Sequence, residues 1–253
     1  MNYYNEIDPH AAQWLRNLIA AGCIAPGDVD ERSIEDVTPN EIRGYTQCHF
    51  FAGIGGWAYA LDLAGWPRDR PVWTGSCPCQ PFSAAGKGAG FEDERHLWPA
   101  WQHLIAQCRP PVVFGEQVAP AIGHGWLDRV VSDLEGCGYA CGAAVLQASA
   151  ANARHKRDRL WFVADAEWDK QSRNQPRCRT TGRMGRIKQS VEGDAAWTHS
   201  LARFRANGDG IPRCVAGTDA ARNAIVPQIA ADFVIAYMDA GELADFALRT
   251  EAA

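Results

Sequence analysis

The 253-residue chain contains no apolar run approaching the roughly 20 residues that a membrane-spanning helix requires. Its N-terminus lacks the basic and apolar regions of a signal peptide. Its nine cysteines are an odd number without zinc-type pairing, since Cys77 and Cys79 are too close together and Cys137 and Cys141 have no second pair. We therefore expect free thiols in a reducing cytoplasm, no bound metal and no membrane association.

The chain also lacks the net positive charge of a general nucleic-acid-binding protein, since its formal net charge is −5. The charge is uneven, however. Residues 1–40 carry seven acidic and two basic side chains, whereas residues 167–188 carry seven basic and two acidic side chains. The basic stretch is either a solvated surface loop or a place where phosphates are neutralised.

The remaining composition is that of an ordinary globular protein, with 47% hydrophobic and 22% charged residues. Short apolar runs alternate with helical patterns, which predicts a doubly wound α/β fold around a mostly parallel sheet. The predicted strands cover residues 48–52, 72–75, 111–115, 140–147 and 160–164, and the predicted helices cover residues 11–21, 57–64, 99–107, 126–134 and 224–248. Periodicity fades over residues 165–218, which indicates a small loop-rich lobe.

A glycine-rich segment follows the first of these strands: Phe51-Ala52-Gly53-Ile54-Gly55-Gly56-Trp57. A strand, a glycine turn and a helix start together form a cradle for a nucleotide-type ligand, because the helix offers free backbone N–H groups there. The alternative is a tight turn between strand and helix that serves packing alone.

Three further motifs place reactive side chains near strand ends. Cys79 lies in a proline-punctuated loop after strand 72–75, where a thiolate could act as a nucleophile, although most free cysteines are small buried hydrophobic residues. Glu116 follows strand 111–115 and is a candidate general acid or a plain loop acid. Arg157 and Arg159 precede residues 160–164 on one face of a strand, where they form part of a site or a charged edge strand.

In this order and spacing, the four motifs resemble the DNA cytosine-5 methyltransferase family. The family's Pro-Cys-Gln motif stands intact as Pro78-Cys79-Gln80, and its Phe-x-Gly-x-Gly-Gly motif is similar to residues 51–56. Its Glu-Asn-Val motif resembles residues 116–118, its Gln-x-Arg-x-Arg motif residues 155–159, and its Gly-Asn-x-Val motif the segment beginning at Arg222. The resemblance implies a Rossmann-like methyltransferase domain over residues 1–165 and 220–253, with a basic target-recognition region over residues 166–219.

The resemblance also implies the chemistry. Cys79 would add to C6 of a cytosine flipped out of duplex DNA, Glu116 would protonate or hydrogen-bond N3, and Arg159 with Arg157 would hold the base. S-Adenosylmethionine would supply the methyl group. The implied cofactor-binding residues are Phe51, Ala52, Gly53, Ile54, Gly55, Gly56, Trp57, Glu6, Ile7, Asp28, Val29, Pro78, Asn223 and Ala224, and the implied substrate-binding residues are Gln80, Ser83 and Lys87.

Some positions depart from the family pattern, since Gln117 replaces an asparagine, His155 a glutamine and Arg222 a glycine. The larger departure is one of order. The family's ribose-binding glutamate and Gly-Asp-[Ile/Val] segment follow its glycine motif, whereas here Glu6 and residues 27–29 precede it. We interpret this as a permuted chain whose second and third strands come before the first, leaving the sheet unchanged. The alternative is an unrelated N-terminal extension.

The leading functional hypothesis is a monomeric DNA cytosine-5 methyltransferase of a bacterial cell or a phage-infected host, with a short or loose target sequence read in part through residues 173–188. A second hypothesis changes the substrate to tRNA. A third is a nucleic-acid-binding subunit that has lost catalysis, against which the intact Cys79 and Glu116 argue.

Overall fold

The computed structural model describes residues 1–78, 97–147, 158–167 and 224–251, with the side chains of the last helix described to Gly241. In these ranges the strands are β1 (Asn2–Asn5), β2 (Gly27–Asp30), β3 (Gln47–Phe50), β4 (Val72–Gly75), β5 (Val112–Val118), β6 (Ala140–Gln147) and β7 (Asp158–Asp165). The α-helices are α1 (Pro9–Ala20), α2 (Pro39–Ile42), α3 (Gly56–Leu63), α4 (Trp98–Cys108), α5 (Trp126–Gly136) and α6 (Pro227–Glu251), and short 3₁₀ helices cover Ile34–Asp36 and Ala119–His124. The predicted strands and helices are confirmed to within a few residues.

The seven described strands form one sheet in the order β2-β1-β3-β4-β5-β7-β6, and β7 runs antiparallel to both of its neighbours. The predicted α/β class with a mostly parallel sheet is therefore confirmed. The predicted position of the N-terminal strands is confirmed as well, because β1 pairs with β3 on the side opposite β4. A 3₁₀ helix and α2 lie in the connection that carries the chain from β2 past β1 to β3.

The sheet carries helices on both faces, separated by the alternation of side chains along each strand. On one face Phe50, Trp73 and Val113 pack with α4 and α5. On the other face Tyr4 and Phe114 pack with α1, α3 and α6. The sheet is therefore covered by a buried hydrophobic layer on each face, and one of these layers includes an aromatic cluster between α4, α5 and β7.

The strand–helix–strand connections of the parallel sheet do not all have the same hand. The β1–α1–β2 and β3–α3–β4 units place their helices on the same face but advance across the sheet in opposite directions, so they have opposite hands. The β4–α4–β5 unit crosses the sheet in the same direction as β3–α3–β4, but its helix packs on the opposite face. It therefore has the same hand as β1–α1–β2. Since about 98% of such crossovers in proteins have the same, right hand, a sheet whose connections differ in hand is unusual.

None of the helices in the described ranges combines the length and apolar character needed to cross a membrane. In the same ranges, no three His, Cys, Asp or Glu side chains are grouped as metal ligands.

Candidate active site

A cavity of about 490 Å³ opens at the carboxyl edge of the parallel strands. Ligands bind at this edge in open α/β sheets, because loops and helix N-termini converge there. Residues that follow β1, β2, β3 and β4 line the cavity, together with residues from β5, β7 and the segment before α6. The cavity thus brings together side chains from most of the described chain.

The glycine turn forms the floor of this cavity between β3 and α3. Phe51, Gly53 and Gly55 all have positive φ angles, of 51°, 54° and 83°. Such a backbone is unfavourable for a residue with a Cβ, and strain of this kind is found at ligand sites. A Cβ on Gly56 would lie 2.7 Å from Cγ1 of Ile225, so the turn also packs tightly against the segment leading into α6. The residues that line the cavity are Phe51, Ala52, Gly53, Ile54, Gly56 and Trp57, whereas Gly55 faces α1.

Glu6, directly after β1, joins the N-terminal strand to the glycine turn. One carboxylate oxygen accepts a hydrogen bond from the Gly53 N–H at 2.6 Å, and the other accepts from the Asp8 N–H at 2.9 Å. Asp8 in turn caps α1 through bonds from the N–H groups of its first turn. The predicted Ile7 lies in the cavity with 65% of its surface exposed.

Asp28 and Val29, predicted to bind the cofactor, lie outside this cavity. The register pairs Asp28 with Tyr3, so it lies two residues before the carboxyl end of β2, and its carboxylate accepts a bond from the Tyr45 hydroxyl at 2.5 Å. The strand continues past the motif to Asp30. The residues that reach the cavity from this strand are Arg32, Ser33 and Ile34, which the sequence analysis missed. Only their position just after a short strand could have indicated them.

The segment after β4 contributes Ser76, Cys77 and Pro78 to the cavity. The Trp57 indole N–H donates to the Ser76 hydroxyl oxygen at 3.1 Å, which connects this segment to the first turn of α3. Burial raises the pKa of the Cys77 thiol, and the nearby Glu116 carboxylate raises it further. Cys77 is therefore held as a neutral thiol at physiological pH.

Glu116 lies within β5 rather than after the strand, because β5 continues to Val118. Its side chain lines the cavity, and its carboxylate forms an ion pair with the Arg159 guanidinium at 2.5 Å. Arg159 stands opposite Val118 in the antiparallel register of β5 and β7. These two side chains, which were predicted separately as site residues, thus lie in contact in the same cavity. Both are largely buried, so the charges stabilise one another at low solvent exposure.

Gln117, which replaces the family asparagine, points toward the segment after β4. Its amide nitrogen donates to the Cys77 carbonyl oxygen at 3.5 Å, and its carbonyl oxygen accepts from the Val118 N–H at 2.9 Å. Gln117 is buried. The longer side chain therefore connects the strand of the candidate acid to the start of the candidate nucleophile loop.

Several predicted site residues lie outside the described ranges: Cys79, Gln80, Ser83, Lys87, Arg157 and Asn223. The basic stretch of residues 173–188 also lies outside them. Ala224 lies within them and lines the cavity, as Pro78 does. The described part of the site thus contains a carboxylate–guanidinium pair at one end and, separately, a glycine turn with a carboxylate beside it.

A group such as S-adenosylmethionine fits the described residues. The left-handed glycine turn leaves its backbone open to the cavity, since a Cβ on Gly53 would meet no atom within 4 Å. The Glu6 carboxylate beside it can accept hydrogen bonds from ribose hydroxyls. The cavity is also within the size range of small-molecule sites.

Comparison with known proteins gives one family. A model of the C-5 cytosine-specific DNA methylase family matches residues 67–200, just over half of the chain. Residues 1–66, which contain the N-terminal strands and the glycine turn, precede the match.

Among curated relatives, the Type II methyltransferase M.PspPI of Psychrobacter sp. (strain TA137) is 30% identical over 172 residues, covering 51% of this chain and 41% of that protein. The Type II methyltransferase M.HhaI of Haemophilus parahaemolyticus is 25% identical over 167 residues, covering 51% of each. The chain therefore matches about half or less of the length of these relatives. A solved Spodoptera frugiperda DNMT2 mutant has 15% identity and a TM-score of 0.46, covering 73% of this chain and 47% of that one.

Proposed function

Because the chain belongs to the C-5 cytosine-specific DNA methylase family, we propose that it methylates C5 of cytosine in duplex DNA. The observation that carries this proposal is that two sets of residues, one suited to a base and one to a methyl donor, line the same cavity. The Glu116–Arg159 pair lies at one end, and the glycine turn with Glu6 lies next to it along the sheet edge. One cavity can therefore hold a methyl donor and a base side by side.

The donor end is formed by the glycine turn, Glu6 and Ile7, with Pro78 and Ala224 nearby in the lining. S-Adenosylmethionine, when bound there, supplies an electrophilic methyl group. Asp28 and Val29 were predicted to bind the cofactor, but we assign this role to Arg32, Ser33 and Ile34, because these residues line the cavity.

The reactive end activates the base. The Cys79 thiolate forms a bond to C6, and the electron pair of the C5–C6 double bond moves to C5. Glu116, in its protonated form, donates its proton or an O–H hydrogen bond to N3, which makes the ring accept the thiolate. Arg159 holds the Glu116 carboxylate and faces the same cavity. After methylation the C5 proton leaves to a base, the double bond re-forms and the Cys79 thiolate is expelled.

Cys79, rather than Cys77, is the nucleophile in this proposal. The two residues flank Pro78, but Cys77 is buried with a raised pKa beside Glu116. A neutral thiol adds poorly to C6, because the thiolate is the reactive form.

Target recognition is assigned to residues 166–219, with the basic residues 173–188 neutralising phosphates. A recognition region this small can present few side chains to base edges, so the target sequence is short or loosely defined.

The test combines purified protein, S-adenosylmethionine and mixed-sequence duplex DNA, followed by nucleoside mass spectrometry. We expect 5-methylcytosine with the wild type and none with Cys79→Ala. A parallel reaction with tRNA separates the substrates. Methylation of tRNA alone would contradict the proposal, as would an unmodified DNA product from a protein that binds the donor.

A further inference from the structure

Arg32 lies at the opposite end of the cavity from Glu116. It follows β2, the edge strand of the sheet, whereas Glu116 lies on β5, four strands away. Inter-strand spacings of about 4.8 Å place these two ends on the order of 19 Å apart. The glycine turn and Glu6 lie between them, because β1 and β3 lie between β2 and β4. Arg32 therefore lies beyond the ribose-binding position on the side away from the reaction.

The Arg32 guanidinium is fixed by two carboxylates. Its Nε donates to both Asp30 carboxylate oxygens at 3.1 Å, and one Nη donates to Asp30 at 2.7 Å. Its other Nη donates to Glu41 at 3.0 Å. Each terminal nitrogen retains one further N–H that has no acceptor among the residues that the structure describes. The side chain is thus oriented before any ligand binds, and it keeps donors to offer.

The backbone at Arg32 is fixed as well. The Asn5 side-chain amide donates to the Arg32 carbonyl oxygen at 2.8 Å. Asn5 is the buried last residue of β1, next to Glu6. The position of Arg32 is therefore coupled to that of Glu6 through a single buried side chain.

The chemistry of this end suits a flat ring with hydrogen-bond acceptors. Ile7 and Ile34 provide apolar surface, and Arg32 provides N–H donors. The carboxylate of Asp30 is already bonded to Arg32 and to the Tyr3 hydroxyl at 2.8 Å. A purine has both the apolar faces and the unprotonated ring nitrogens that such a site would bind.

We propose that Arg32 recognises the purine ring of the methyl donor by donating an N–H to a ring nitrogen, and that Asp30 and Glu41 orient it for this. The inference rests on the proposed function, since it concerns the same cavity. It assigns donor specificity to a residue that matches none of the motifs in the sequence.

The test measures S-adenosylhomocysteine binding by isothermal titration calorimetry, without DNA or turnover. Arg32→Met should weaken binding by roughly tenfold to a hundredfold, as expected for a lost bond to a charged group. Arg16→Met is the matched control. Arg16 is similarly exposed and also pairs with a carboxylate, Glu31 at 2.6 Å, but it lies outside the cavity. Its substitution should leave the affinity unchanged.

A second measurement separates recognition from a structural role. The 1-deaza, 3-deaza and 7-deaza analogues of S-adenosylhomocysteine each lack one ring nitrogen. One of them should bind the wild type more weakly than the parent compound, and that difference should vanish in Arg32→Met. If all three analogues keep the same relative affinities in both proteins, Arg32 does not contact the ring and the inference is overturned.

The outcomes distinguish the two proposals. Failure of the wild type to bind S-adenosylhomocysteine would overturn the proposed function itself. Wild-type binding with an equal affinity for Arg32→Met would overturn the role of Arg32 alone. If Arg32→Met does not fold, Arg32→Lys retains the cation beside Asp30 and Glu41 but not the planar donors. It should show the same loss of discrimination among the analogues, and unchanged discrimination would again overturn the inference.

Discussion

The Glu6 carboxylate accepts a hydrogen bond from the Gly53 N–H at 2.6 Å, across 47 positions of the chain. This bond joins the end of β1 to the turn after β3 and thereby assembles the part of the cavity that we propose binds the methyl donor. Glu6 can do so because β1 lies beside β3 in the sheet, although the family's usual order places the corresponding strand after the glycine motif.

Glu6→Ala should weaken S-adenosylhomocysteine binding by roughly tenfold to a hundredfold, because it removes a charged acceptor from the cavity. Isothermal titration calorimetry gives the affinity. Asp28→Ala is the control, since Asp28 lies on the strand outside the cavity, and its affinity should equal that of the wild type. Weaker binding by Asp28→Ala with unchanged binding by Glu6→Ala would instead show that Asp28, and not Glu6, binds the ligand.

Cys77→Ala should retain covalent trapping of duplex DNA that contains 5-fluorocytosine, whereas Cys79→Ala should abolish it. Burial and Glu116 raise the pKa of Cys77, so its thiolate is scarce at neutral pH. Denaturing gel electrophoresis of the complex formed with S-adenosylmethionine measures the adduct. An adduct that persists in Cys79→Ala and disappears in Cys77→Ala would assign the nucleophile to Cys77.

His49 should make the protein less stable in mild acid. Its ring is fully buried beside Tyr4 and hydrogen-bonded to Thr74 at 2.8 Å, and burial lowers its pKa to about 3. The unfolded state binds the proton near pH 6.5, so stability present above that pH is lost as the pH falls toward 3. Between pH 7.5 and 5.5 the loss is about 1.4 kcal/mol.

Urea unfolding at the two pH values measures this loss. His49→Gln should show a smaller difference between pH 7.5 and 5.5 than the wild type, by about that amount. The same substitution at exposed His10 should leave the wild-type difference in place. An unchanged difference in His49→Gln would show that other groups produce the acid sensitivity.

Gly115→Ala should destabilise the fold by about 1–3 kcal/mol or more, because its Cβ would lie 2.0 Å from the Phe162 ring. Phe162 is the cross-strand partner of Gly115 and is packed against Trp98 and Trp126, so it cannot move aside easily. Gly123→Ala, where the Cβ would meet open space, is the control. Equal unfolding free energies for the two variants would disprove the clash.

The sequence predicted most of this fold because its elements are local. The strand at residues 72–75 and the helix near residues 57–64 are marked by apolar periodicity and by glycine, and both lie where predicted. The end of β5 was misplaced, because Glu116 reads as the first polar residue of a loop. Pairing with β7 extends the strand to Val118 and buries the carboxylate with Arg159.

Motif order likewise allowed the neighbouring positions of β1 and β3 to be predicted. The residues after β2 that line the cavity could not be predicted. The Gly-Asp-Val motif indicated Asp28, but this motif lies within the strand. Which residue reaches the cavity depends on where the strand ends, and this is decided by its pairing with β1.

By itself the sequence determined the fold class, the chemistry of the motifs and the membership of a family, since these depend on residue type and spacing. Tertiary structure alone decided that the connections through α1 and α3 have opposite hands, that Glu6 bonds to Gly53, and that Arg32 rather than Asp28 lines the cavity. These features depend on contacts between segments distant in the chain. Such contacts are fixed by how the strands pair and on which face each helix packs, and no local pattern of residues encodes them.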